Sequence, residues 1–222
     1  MGLLVKICGI TSADAADAAA RAGADLAGLV LHPRSPRNLQ PDQAAVLASR
    51  LRGRLKLIAL VPPDPSDEAL TAAIAVVKPD FIQLHGSETP ERVAAVRAKF
   101  GVGVIKAIAV AEAADLDRAA PFEDCTDILM FDAKPPPGAD RDGGHGRIFD
   151  WQLLRGRKFR RPWLLGGGLD PQNVARAIRS SGAPGVDVSS GVEDSPGHKN
   201  PELIAQFITN ARNAEFATEV RQ

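Results

Sequence analysis

Tyrosine is absent from these 222 residues, so no phenol can serve as an acid or a base. Charge of one sign is lacking too. Lys plus Arg and Asp plus Glu both total 27, for a formal net charge of zero. No global basic field therefore points to nucleic acid or to an anionic membrane. No apolar run approaches the ~20 residues that a membrane-spanning helix needs. The N-terminus has no positive region, apolar core and cleavage site in succession, so no signal peptide is expected and the expected location is cytoplasmic. Cysteine occurs only at Cys8 and Cys125. The four histidines, His32, His85, His145 and His198, are scattered. None keeps His-x-x-x-His or Cys-x-x-Cys company, so no metal is expected. No Gly-x-x-x-x-Gly-Lys-Ser/Thr occurs, and Gly166 to Gly168 do not form a dinucleotide fingerprint.

What is present alternates. Candidate strands fall at 4–9, 26–31, 55–61, 81–86, 103–109, 128–133, 163–167 and 185–189. Helical stretches rich in Ala, Leu and Glu lie between them, at 12–22, 41–51, 66–77, 90–100, 111–119, 149–155, 171–181 and 200–212. Eight strands, each followed by a helix, argue for a closed parallel (βα)8 barrel, the TIM-barrel fold. Ser12, Asp42, Ser66, Thr89 and Asp170 stand where helix starts are expected, and Gly23, Gly53, Gly101 and Gly182 where helices should stop. Nothing divides the chain, so residues 1–213 read as a single catalytic domain. Residues 214–222 read as a C-terminal tail prone to fray. In such a barrel Cys8 ends the first strand while Cys125 precedes the sixth. The two thiols then lie at opposite mouths, too far apart to bridge, as a reducing compartment would have it.

Strand parity separates two faces. The helix-facing set is apolar: Val5, Ile7, Ile82, Leu84, Ile105, Leu129, Phe131, Val186 and Val188. The other parity holds Lys6, Cys8, Gln83, His85, Lys106, Asp132, Asp187 and Ser189, which therefore converge on the barrel interior. Unpaired, each buried polar group costs about 1–3 kcal/mol, so the convergence requires a mutual network or a ligand. A network accounts equally well for Lys6 and Gln83. Function is the better reading for Cys8, Asp132 and His85 at the strand ends, where α/β barrels place their chemistry. A thiolate at Cys8 is a competent base, and a carboxyl group in a dry pocket can deliver a proton. The bland alternatives are a small core hydrophobe for Cys8 and a cap or ion pair for Asp132.

Two loops look made for an anion. WLLGGGLDPQNV, from Trp163 to Val174, is a strand, three glycines, Asp170, Pro171 and a helix. GVDVSSGVEDSPG, from Gly185 to Gly197, ends its strand in Ser189, Ser190 and Gly191. Barrels commonly hold phosphate with the loops after strands seven and eight. Glycines that merely serve tight turns explain one such loop better than two adjacent ones. The long Pro- and Gly-rich loop from Lys134 to Trp151 reads as a lid or a surface insertion. Arg34 and Arg37 follow the second strand, where a guanidinium fork can grip a carboxylate or simply sit in solvent.

VKICGIT, LVLHPRSPRNLQP, IQLHG, FDAKPPPG…GGHGRIFDW, LGGGLDPQNV and VDVSSGVEDSPGHKNPELI occur in this order over essentially the whole chain. Together they resemble the phosphoribosylanthranilate isomerases of tryptophan biosynthesis. The resemblance implies a (βα)8 barrel without metal or organic cofactor. It implies an Amadori rearrangement of N-(5-phosphoribosyl)anthranilate to the carboxyphenylamino deoxyribulose phosphate. It assigns the general base to Cys8, the general acid to Asp132 and the anthranilate carboxylate to Arg37. Phosphate falls to backbone N–H groups around Gly167, Gly168, Ser190 and Gly191, and the ribose hydroxyls to Asp187. His85 falls near the site without a role. The chain departs from the family pattern at Pro62, where asparagine is expected, and at Gly166, in place of serine or alanine. The implied partner is a small phosphoribosyl substrate, with no nucleic acid or membrane, and the chain is a monomer or a homodimer. Rivals are another phosphosugar barrel of tryptophan or histidine biosynthesis and a catalytically silent phosphate-binding barrel.

Overall fold

The computed structural model describes residues 2–134 and 148–219. The stretch 135–147, where the lid was expected, and residues 220–222 of the tail lie outside them. Eight parallel strands close on one another in chain order: β1 Leu4–Cys8, β2 Leu26–Val30, β3 Lys56–Leu60, β4 Phe81–Leu84, β5 Gly103–Val110, β6 Ile128–Ala133, β7 Trp163–Leu165 and β8 Gly185–Val188. The first and last strands join through Lys6 opposite Asp187. The helices are α1 Ala13–Ala22, α2 Pro41–Leu51, α3 Asp67–Val77, α4 Pro90–Phe100, α5 Val174–Ser181 and α6 Pro201–Glu219. A two-stranded antiparallel hairpin, β9 Glu193–Ser195 with β10 His198–Lys199, follows β8. No helix among the described residues is long and apolar enough to cross a membrane.

Local chemistry explains most boundaries. Ser12, Ser66 and Thr89 each accept a hydrogen bond from the N–H three residues on, as helix caps do. Gly23, Gly101 and Gly182 end α1, α4 and α5 in the left-handed conformation. Three expectations need correction. Asp42 is not a cap, because Pro41 already opens α2 and Gln40 precedes it. Asp170, by contrast, does cap: its carboxylate accepts from the N–H groups of Gln172 and Asn173, each at 2.8 Å, and its carbonyl accepts from Val174 N–H at 3.1 Å, where the regular turns of α5 begin. The fifth and sixth crossovers, expected as α-helices at 111–119 and 149–155, are 3-10 helices at Ala113–Phe122 and Trp151–Leu154. Pro121 inside the former removes a helical donor. Finally, α6 runs on to Glu219, past the boundary drawn at 213.

The core has two parts. A large helix-facing layer includes Val5, Ile7, Ile82, Leu84, Phe131 and Val188. A smaller interior cluster holds Leu26, Ile58, Ile105, Ala107, Ile128, Met130 and Leu164. Ile105 therefore faces inward and Lys106 outward, the reverse of expectation. The register causes this. Lys106 pairs with Leu84 on one side and Leu129 on the other, both in the outward row. It stays buried because its ammonium meets Glu88 Oε2 at 2.6 Å and the Gly86 carbonyl at 2.7 Å. The same Glu88 accepts from the N–H groups of Gly86 and Asp64, which ties the loop after β4 to the Pro62-containing loop after β3.

Candidate active site

β1 turns Lys6 and Cys8 into the barrel. Lys6 is fully buried, and its Nζ donates to Asp187 Oδ1 at 2.7 Å. Burial works against its charge, but Asp187 and the Cys8 thiol outweigh burial and hold the ammonium above the ordinary lysine range. Cys8, 6% exposed, ends the strand. Burial pushes its thiol above the usual value, Lys6 pulls it down, Asp187 adds to the rise and Lys199 opposes it. Burial thus works against the Cys8 thiolate, and two lysines stand near to favour it. The Cys8 carbonyl accepts from Ser189 Oγ at 3.1 Å, which fastens β1 to the end of β8.

Gly9 follows directly with φ 74. A β-carbon there would collide with the Arg37 side chain, which lies across the glycine. Arg37 is 5% exposed, so it is no solvated surface charge. Its Nε and Nη2 each donate at 2.7 Å to the two oxygens of Glu193. Glu193 Oε1 also accepts from Lys199 at 2.6 Å, and Lys199 donates to the Ser189 carbonyl at 3.0 Å. Burial raises the Glu193 carboxyl, but Arg37 and Lys199 more than reverse this and hold it below the ordinary glutamate range.

On β6, Asp132 Oδ1 accepts from its neighbour Ala133 N–H at 2.9 Å. Its Oδ2 faces His85 Nε2 at 3.3 Å. His85 Nδ1 meets Gln83 Nε2 at 3.1 Å. A Gln83 amide donating to Nδ1 leaves the ring proton on Nε2, directed at Asp132. His85, assigned no role from the sequence, is therefore Asp132's neighbour.

The two glycine loops meet here. Gly167 and Gly168 have φ 83 and 62, a conformation in which glycine carries no steric cost. A β-carbon on Gly167 would stand 2.7 Å from Ala133 N and 3.1 Å from Asp132 Oδ1. One on Gly191 would overlap the Leu169 carbonyl oxygen, so the loops after β7 and β8 touch along their backbones. Ser190 opens the 3-10 turn Ser190–Val192 on the same edge.

A thiol over a buried ammonium, a carboxyl beside an imidazole and paired glycine loops share the C-terminal mouth. The family model for N-(5'-phosphoribosyl)anthranilate (PRA) isomerase matches residues 5–210. The chain belongs to that family. It is 53% identical over 212 residues to the N-(5'-phosphoribosyl)anthranilate isomerase of Rhodospirillum centenum, covering 95% of this chain and 99% of the relative. It is similar, at 34% identity and a TM-score of 0.84, to the phosphoribosyl anthranilate isomerase crystal structure from Thermotoga maritima, covering 95% of this chain and 99% of that one. A further phosphoribosyl anthranilate isomerase structure, in complex with reduced 1-(o-carboxyphenylamino)-1-deoxyribulose 5-phosphate, aligns with a TM-score of 0.81 at 32% identity, covering 95% and 99%.

Of the residues picked out for a PRA isomerase site, Cys8, Asp187, Ser190 and Gly191 gather on the β1–β8 side with Arg37 beside them. Asp132, His85, Gly167 and Gly168 gather around β6 and β7. Asp187 already has a partner in Lys6. Glu193 and Lys199 escaped notice in the sequence. Their signal was there: two charges flank the Ser195-Pro196-Gly197 turn, whose hairpin register brings Lys199 opposite Glu193.

Proposed function

We propose that Cys8 is the general base and Asp132 the general acid in the conversion of N-(5-phosphoribosyl)anthranilate to 1-(2-carboxyphenylamino)-1-deoxyribulose 5-phosphate, a step of tryptophan biosynthesis. The observation that carries this reading is their placement: inward-facing, at the C-terminal ends of β1 and β6, above the glycine loops. Asp132 gives a proton to the ribose ring oxygen as the C1–O bond breaks, and the anthranilate nitrogen lone pair forms a protonated Schiff base. That cation acidifies the C2 proton, which Cys8 removes. The resulting enolamine becomes the amino ketone as C1 gains a proton and the C2 hydroxyl gives one up, so that the proton Cys8 took and the one Asp132 gave are both returned. The cation forms in the same cavity as Cys8, so it adds to Lys6 in favouring the thiolate at the moment a base is needed. His85 holds the Asp132 carboxyl in place.

The substrate is held at both ends, which turns a flexible sugar phosphate into a positioned reactant. Backbone N–H groups around Gly167, Gly168, Ser190 and Gly191 receive the phosphate. Arg37 receives the anthranilate carboxylate, and Asp187 takes a ribose hydroxyl through the oxygen that Lys6 leaves. Residues 1–213 carry all of these groups as one catalytic unit. The test is to generate phosphoribosylanthranilate in situ and follow its fluorescence. The wild-type chain should speed the decay, and Cys8→Ala or Asp132→Asn should each cut kcat by about 100-fold or more. A wild-type rate in either variant would overturn that residue's role.

A further inference from the structure

The Arg37–Glu193–Lys199 cluster is buried and bonded at short distances, and neither Arg37 nor Glu193 takes part in the acid–base chemistry. We propose that Glu193 is a positioning residue that aims Arg37, and that with Lys199 it sets selectivity for an aromatic amine carrying an ortho carboxylate. The inference rests on the reading of Arg37 as the carboxylate receptor.

Three observations carry it. First, the bond is bidentate through Nε and Nη2. Those two contacts fix the guanidinium plane, and Nη1 takes no part in them. A long side chain held this way loses little further freedom when a second carboxylate arrives. Second, the Arg37 stem lies over Gly9, the residue after Cys8, so the guanidinium keeps a set offset from the proposed base. Third, Lys199 shares Glu193 Oε1 at 2.6 Å. Two basic groups thus face one carboxylate, and Glu193 orients Arg37 without cancelling the attraction for an anion. The hairpin that carries Glu193 and Lys199 is itself docked, since the Gly197 carbonyl accepts from Thr11 Oγ1 at 2.6 Å. A lock that merely filled space would not need a glutamate flanked by two cations.

The test compares two substrates, N-phosphoribosylanthranilate and the carboxylate-free N-phosphoribosylaniline. The readout is the ratio of their kcat/KM values. Arg37→Met should collapse the ratio, and if it does not, the Arg37 reading fails first. With that arm passed, Glu193→Gln should lower the ratio about tenfold, through KM for the anthranilate substrate rather than through kcat. Glu193→Asp keeps the charge but shortens the reach and should move the ratio in the same direction, which provides a second variant should the glutamine variant not fold. An unchanged ratio, tighter binding of the carboxylated substrate, or equal losses on both substrates would overturn the inference.

Discussion

At the scale of single residues the site is a contest between burial and charge. Cys8 illustrates it. Burial raises the thiol and Lys6 opposes the rise. In a Cys125→Ser background, alkylation of Cys8 by iodoacetamide should rise with pH, with a midpoint above the ordinary ~8.5 of a free thiol. Lys6→Met removes the opposing cation and should move that midpoint higher still, and a downward move would refute the assignment. Gly9 is constrained twice, by its φ of 74 and by the Arg37 stem above it. Gly9→Ala should cost about 1–3 kcal/mol of stability from backbone strain. It should also raise KM for the carboxylated substrate, because Arg37 must shift. Thermal unfolding and steady-state kinetics read the two effects separately. Cys8 and Asp132 stood out in the sequence because they end inward-facing strand rows, and Arg37 because it follows the second strand within a motif that resembles the family's. Glu193 did not, because its meaning depends on a partner 156 positions away.

At the scale of elements, one device recurs at the N-terminal mouth. The residue just before β2, β4 and β6 is Asp25, Asp80 and Asp127. Each carboxylate accepts from a backbone N–H of the preceding strand: Val5 at 2.7 Å, Leu57 at 2.8 Å and Val104 at 2.9 Å. Each also meets a cation, Arg212, Lys56 and Arg97 respectively. The carboxylate thus satisfies an N–H donor at the strand's start and clips neighbouring strands together. Asp127→Ala leaves the Val104 N–H without that acceptor and should cost about 1–3 kcal/mol in urea unfolding. It should leave kcat intact, because the chemistry lies at the other mouth. Loss of activity with no shift in unfolding midpoint would contradict this. Element types were readable where caps and glycines agreed, as in α1 and α4. They were misread in the fifth crossover, where Ala-rich composition suggested an α-helix and the chain winds instead as a 3-10 helix that takes in Pro121.

For the whole molecule, the balance of charge that showed no global field hides many internal pairs. Asp67, Asp115 and Glu193 lie below the ordinary carboxylate range, held there by cations or backbone N–H groups. A depressed carboxylate contributes stability above its unfolded pKa of about 4, and that contribution is lost as pH falls through the folded value. The urea midpoint should therefore fall as pH drops below about 4, and Glu193→Gln should show a shallower fall over that range. An equally steep fall in the variant would mean that Glu193 contributes nothing to acid sensitivity. Salt should blunt the Asp67 part more than the Glu193 part, because surface pairs are screened and buried ones less so.

The alternation of eight apolar strands with Ala-rich segments sufficed for a closed parallel barrel, since periodicity and turn chemistry are local properties. The motifs around Cys8, Asp132, Gly167 and Ser190 sufficed for the isomerase family. Face and partnership needed three dimensions. β5 carries apolar residues on both parities, so nothing local tells whether Ile105 or Lys106 points inward. Its register against Leu84 and Leu129 does. Likewise, Lys6 with Asp187 and Arg37 with Glu193 are contacts between the two ends of the chain. They exist because the barrel closes β8 onto β1, and no short-range rule can anticipate which buried charge will find which partner across that seam.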